Sequence, residues 1–124
     1  GERRRCGTSR KRLGRGVPLL IFPEGGRTKS GAIRPFKKGA AALAIATEVP
    51  CVPVALVGTA TAMPSGVSWP KRGRPPVDVV FGAPMLPEPD ETAAEFSDRL
   101  AREILRLHAS VPSGALVTVQ KGTR

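Results

Sequence analysis

Tyrosine is missing from this sequence, and its aromatic residues stop at four phenylalanines and one tryptophan. So few rings leave little on which to stack bases, which weighs against a nucleic-acid-binding domain built on aromatic platforms. Cysteine occurs twice, at Cys6 and Cys51, too few for a disulfide framework or a thiolate metal cluster. Cys51 stands inside an apolar run and reads as a small buried hydrophobe, and the pair fits a reduced, cytosolic protein. Histidine occurs once, at His108. No apolar run reaches the roughly 18 residues that a membrane-spanning helix needs. Acidic residues are scarce, ten against twenty lysines and arginines.

The resulting formal charge of +10 points to an anionic partner. Nucleic acid, a phospholipid surface and a phosphorylated substrate all qualify, and composition does not choose among them. A length of 124 residues suits one domain, and a hydrophobic share of 40% excludes wholesale disorder. Thirteen prolines and fourteen glycines imply short elements with many turns.

Residues 1 to 16 hold seven arginines and lysines, with Leu13 as the strongly apolar residue. They read as a basic arm, poorly ordered or left from a missing half, that could also contact phosphates. Val17 to Phe22 is a continuous apolar run of strand length, a pattern that suits a parallel strand covered on both faces. Pro23 should stop it. Phe36 to Glu48 is dense in alanine and reads as a small-faced helix ended by Val49-Pro50. Cys51 to Gly58 reads as a second strand and Pro76 to Gly82 as a third, with a Gly/Pro-rich loop from Gly58 to Arg74 between them. Thr92 and Glu95 have capping-box spacing. Phe96, Leu100, Ile104 and Leu107 follow on one face of a helix predicted over Asp90 to Ala109. Residues 17–109 thus form an α/β unit, a partial mixed or parallel sheet with flanking helices. Residues 110–124 read as a flexible tail.

The sharpest local feature is Pro23-Glu24-Gly25-Gly26-Arg27, placed where the first apolar run ends. In open α/β sheets ligands bind beyond the carboxyl ends of strands. Gly25 and Gly26 let the backbone approach a ligand and turn its N–H groups inward, which favours an anion. Arg27 offers a planar fork to phosphate. Glu24 can orient Arg27 or accept a hydrogen bond from a substrate hydroxyl, and Lys29, Arg34, Lys37 and Lys38 deepen the positive field. These residues describe a phosphate-monoester pocket. They also suit a plain strand-to-helix turn carrying a surface Glu24–Arg27 ion pair, and neither common phosphate-loop fingerprint is present.

Phe-Pro-Glu-Gly-Gly-Arg at 22–27, Phe-Lys-Lys-Gly-Ala at 36–40 and the strand from Pro50 to Gly58 together resemble the second half of the glycerolipid acyltransferase family, of the 1-acylglycerol-3-phosphate acyltransferase type. A weaker likeness continues to Met85. The resemblance implies that Glu24, Gly25 and Arg27 bind the acceptor's phosphate and glycerol, and that Pro53 helps shape the acceptor and acyl-chain site. Gly26, Lys37 and Lys38 are counted with them as substrate-binding residues. Gly26 stands where that family usually has threonine, so a hydroxyl contact is lost and weaker binding is expected.

The resemblance also implies a histidine followed after four residues by an aspartate, upstream of the Glu-Gly motif, acting as general base on the acceptor hydroxyl. His108 lies downstream, five residues before Ser113, and reads as structural or solvated. The chain is therefore expected to be the C-terminal part of such an enzyme, without catalytic residues and inactive alone. Its expected partners are a lysophosphatidic acid-type acceptor and an acyl donor, acyl-CoA or acyl-carrier protein, with no metal or cofactor. Attachment to an anionic membrane through residues 1–16 and the Lys71, Arg72 and Arg74 group is expected, on the cytoplasmic, inner face. A small basic nucleic-acid-binding domain is the alternative reading, and it ranks second for want of aromatic residues.

Overall fold

The computed structural model describes residues 2–26, 32–63, 66–69, 72–73 and 75–112. The basic start, expected as an arm, is a helix: α1 spans Glu2–Gly14. Arginine and lysine are good helix formers, and α1 packs against α2, Gly39–Thr47. Its end is closed by two bonds. The Val17 N–H donates to the Arg12 carbonyl and the Gly16 N–H to the Leu13 carbonyl, each at 3.0 Å, with Gly16 left-handed at φ 77°. This paired 6→1 and 5→2 pattern satisfies carbonyls that the helix itself leaves open.

The strand expected over Val17 to Phe22 does not form, and the segment has no regular secondary structure. A strand requires a neighbour to complete its hydrogen bonds, and none pairs with this run among the described residues. Instead of being covered on both faces, Leu20 is 79% and Phe22 63% exposed. The sheet consists of β1, Val54–Val57, and β2, Asp78–Phe81, with α3, Thr59–Ala62, in the connection. The two strands pair antiparallel, Val54 opposite Phe81 and Val57 opposite Asp78. The link over 58–77 is long enough for a parallel crossover, but it turns the chain back. Neither a helix of this link packed back on the sheet nor a parallel ladder is found among the described residues.

The ladder continues past the strands through a Cys51–Met85 bridge, with N–H to carbonyl distances of 2.8 and 2.7 Å. Residues 82–84 face only 52–53, so one residue is left over and the pairing steps through a bulge that carries Pro53 and Pro84.

One face of the sheet is covered. Ala55 and Val57 point inward, 1% exposed each, beneath α4, Ala93–Ala109. Phe96 of α4 is 0% exposed and packs with Ala41 and Ala44 of α2 and with Leu100. The alanine face expected for α2 is what admits that ring. On the other face Leu56, Val79 and Phe81 are exposed.

The N-cap expected at Thr92 is present, with Glu95 bonded to the cap hydroxyl. Thr92 Oγ1 accepts the Glu95 N–H at 3.2 Å and donates to Glu95 Oε1 at 3.1 Å. Arg99 then straps the Pro-rich segment onto α4. It donates to both carboxylate oxygens of Glu91 at 2.8 and 2.9 Å and to the Leu86 carbonyl at 2.6 Å, while its guanidinium lies 5.0 Å from the Phe96 ring centre. The Arg99 hydrogen bond holds the Glu91 carboxyl below the usual carboxylate range.

Two outcomes follow for stability. Phe96→Ala removes a fully buried ring and is expected to destabilise the fold by about 3–5 kcal/mol, measured by urea unfolding. A depressed folded-state pKa contributes stability that is present above the unfolded carboxyl value and disappears as pH falls through the folded one. Arg99→Leu should therefore lower Tm at neutral pH, with the gap to wild type closing as the solution is taken below about pH 4.

Candidate functional site

Phe22 to Gly26 folds into a turn closed by the Gly25 N–H, which donates to the Phe22 carbonyl at 3.1 Å. Gly25 has φ 73°, a left-handed conformation that costs a residue with a side chain about 1–2 kcal/mol. Two longer-range bonds fasten the turn to the chain leading into α2. Glu24 Oε2 accepts the Arg34 backbone N–H at 2.8 Å. The Pro23 carbonyl accepts the Lys37 N–H at 2.8 Å. The loop between Glu24 and Arg34 is thus clasped at its base, and the fixed φ of Pro35 stiffens the return.

Two basic side chains come back over the glycines. A Cβ built on Gly25 would lie 2.8 Å from Lys37 Cε and 3.0 Å from its Nζ, and one built on Gly26 would lie 2.8 Å from Arg34 Nη1. Having no side chain at either position lets an ammonium and a guanidinium descend to the level of the main chain. Glu24 spends one carboxylate oxygen on a backbone N–H, and no ion pair among the described residues engages Lys37 or Arg34. Two cations, two glycine main-chain units and one committed carboxylate make a place suited to a small, multiply charged oxyanion.

The other expected site residues fall as follows. Lys38 takes the N-cap position of α2, exposed and without a side-chain cap bond. Pro53 is buried in a different neighbourhood: its carbonyl accepts the Gly82 N–H at 2.8 Å, and Gly82 lies against both Pro53 and Leu107 of α4. Arg27 and Lys29 lie outside the described residues, as do Lys71, Arg74 and everything from Ser113 onward. His108 is 7% exposed in the last turn of α4, a structural position. Cys51 packs half-buried against the Phe96 cluster, and burial pushes its thiol up, so it stays protonated. A shallow open depression along α4 is lined by Glu91, Glu95, Asp98 and Arg102, and its carboxylates carry the wrong sign for phosphate.

Sequence reading counted Arg34 with Lys29, Lys37 and Lys38 as deepening the field. The return of Arg34 to Gly26 depends on a bond between residues ten apart, and no local pattern announces such a closure.

Comparison with known proteins bears on the same stretch. A family model described as Acyltransferase matches residues 3–57. Over 52 residues the chain is 50% identical to the chloroplastic 1-acyl-sn-glycerol-3-phosphate acyltransferase BAT2 of Brassica napus, covering 42% of this chain and 15% of that protein. Over 73 residues it is 41% identical to a 1-acyl-sn-glycerol-3-phosphate acyltransferase of Cocos nucifera, covering 56% of this chain and 22% of that one. The crystal structure of the 1-acyl-sn-glycerophosphate (LPA) acyltransferase PlsC from Thermotoga maritima superposes with a TM-score of 0.72 at 28% identity, over 82% of this chain and 41% of that chain.

Over the matched stretch, residues 3–57, the chain is similar to glycerolipid acyltransferases. It spans 15% and 22% of the length of the two plant relatives. The family match begins inside α1, upstream of the Phe22 motif, and ends in β1. Every expected site position, from Glu24 to Pro53, lies within it. The α/β architecture expected from the sequence is the one shared with the T. maritima acyltransferase.

The clasp makes a stability forecast. Glu24→Ala, which leaves the Arg34 N–H without its acceptor, and Gly25→Ala, which meets both the left-handed φ and the Lys37 chain, should each destabilise the protein by about 1–2 kcal/mol in thermal unfolding.

Proposed function

We propose that this chain forms the acceptor-holding part of an enzyme that transfers an acyl group from a thioester, acyl-CoA or acyl-carrier protein, to the free hydroxyl of a 1-acylglycerol 3-phosphate. The observation that carries this reading is the convergence of the Lys37 and Arg34 tips on Gly25 and Gly26 inside the region matched by the family model. The matched relatives are named as 1-acyl-sn-glycerol-3-phosphate acyltransferases, which supports the choice of acceptor.

On this reading the acceptor's phosphate is held at the turn by Lys37 and Arg27, with Lys38 adding to the field; the Gly25 N–H, bonded to the Phe22 carbonyl, shapes the turn instead. Fixing a doubly charged group at one end of a small glycerol restricts where its free hydroxyl can go. Much of the gain from such binding is positional. The hydroxyl proton is assigned to a histidine–aspartate pair of the kind the family resemblance implies, and not to His108, whose 7% exposure presents almost no surface to a substrate. The chain by itself is then a binding half without catalytic turnover.

The acceptor is an amphiphile, so the enzyme meets it at a bilayer. No described helix is long and apolar enough to cross a membrane. We place the chain peripherally on the cytoplasmic face. Leu20 and Trp69, each 79% exposed, are suited to the headgroup region, and basic residues such as Arg10, Lys11 and Arg12 contribute about 1 kcal/mol each near an anionic surface.

A chimera in which this chain replaces the matched part of the T. maritima enzyme tests the reading. It should acylate lysophosphatidic acid, and Arg27→Ala should raise the acceptor KM at least tenfold with a smaller change in kcat. An acceptor KM that does not move would sink the assignment of Arg27. A folded chimera showing no saturation by acceptor would sink the phosphate-holding role as a whole.

A further inference from the structure

We infer that Arg34 is a second phosphate-binding guanidinium, seated over Gly26, and that the missing side chain at Gly26 is what gives it the seat. The inference rests on the reading of the turn as a phosphate site and adds a ligand that the motif does not contain. Three observations carry it. Arg34 Nη1 occupies the space of a residue-26 side chain, since a Cβ there would sit 2.8 Å away. The backbone of Arg34 is held in place by its N–H, which donates to Glu24 Oε2 at 2.8 Å. The guanidinium itself takes part in no ion pair among the described residues.

The Glu24 carboxylate is therefore a positioning group. By accepting the main-chain N–H it brings the residue to the turn and leaves the side-chain charge available. Lys37, whose Nζ lies 3.0 Å from where a Cβ on the neighbouring Gly25 would sit, supplies a second cation beside the first. Guanidinium and ammonium do different work on a phosphate monoester. The fork engages two oxygens and fixes orientation, whereas the ammonium acts as a point charge. The favoured occupant is a phosphate monoester dianion. A phosphodiester headgroup offers half the charge and one fewer free oxygen, so the site discriminates against bulk phospholipid.

A double-mutant cycle on this chain tests the proposal, with glycerol 3-phosphate, inorganic phosphate and glycerophosphocholine as titrants followed by calorimetry. Wild type should bind glycerol 3-phosphate, and glycerophosphocholine much more weakly. Equal affinity for inorganic phosphate would identify the anion alone as the recognised part, and weaker affinity would add the glycerol. Arg34→Gln should weaken glycerol 3-phosphate binding about tenfold, as for loss of a charge-assisted hydrogen bond. Gly26→Ala should weaken it in the wild-type background by pushing the guanidinium aside, and should have no further effect once Arg34 is Gln. Arg102→Gln removes the same charge from α4 and should leave affinity unchanged. Equal losses from Arg34→Gln and Arg102→Gln, or a Gly26→Ala penalty of the same size in both backgrounds, would overturn the role of Arg34 while leaving the phosphate site standing. Absence of glycerol 3-phosphate binding in the folded wild type would remove the site and the inference together.

Discussion

Burial of the Phe96 ring against the alanines of α2 is the contact on which the arrangement of this chain rests. The ring is 0% exposed, and Ala41 and Ala44 are 1% and 4% exposed. Only a helix face without bulk lets an aromatic side chain seat so closely, and the resulting pair fixes α2 relative to α4 and the sheet. The first residue of α2 is two positions beyond Lys37, whose N–H is bonded to Pro23. A packing contact in the core therefore determines where the far side of the turn stands. The Arg99 strap reinforces the same junction from outside, since its guanidinium lies above the Phe96 ring.

What the sequence disclosed and what it withheld divide along a physical line. The α4 helix, its Thr92 cap, the small-faced α2 and the two paired strands were all legible, because each is encoded by neighbours in the chain. The α1 helix was not. Seven basic residues in 1–16 look like mutual repulsion, while helix propensity and docking on α2 act in the other direction. Val17 to Phe22 failed for the opposite reason: its apolarity was plain, but pairing is a property of two segments and only one of them could be read. Strand direction depended on how a Gly/Pro-rich link turns.

The site shows the same division. Glu24, Gly25 and Gly26 stood out as a cluster, and Lys37 was near enough to be counted with them. Arg34 acquires its place only when the loop closes. The family resemblance puts a threonine where this chain has Gly26, and the structure fills that volume with a guanidinium from eight residues along. The two departures, a lost hydroxyl and a returning arginine, occupy one location and are best regarded as a single change. Glu24 likewise gains a definite task, holding main chain.

The carboxylates lining the outer side of α4 have a bearing on how the molecule meets other charged bodies. Twelve of the twenty basic residues fall within positions 1–48, which contain three acids, whereas six of the ten acids fall within 88–103. Charge is therefore segregated along the chain, with a basic first stretch and an acidic one at 88–103. An anionic surface attracts the first stretch and repels the second. Both effects weaken together as added salt shortens the distance over which the field is felt.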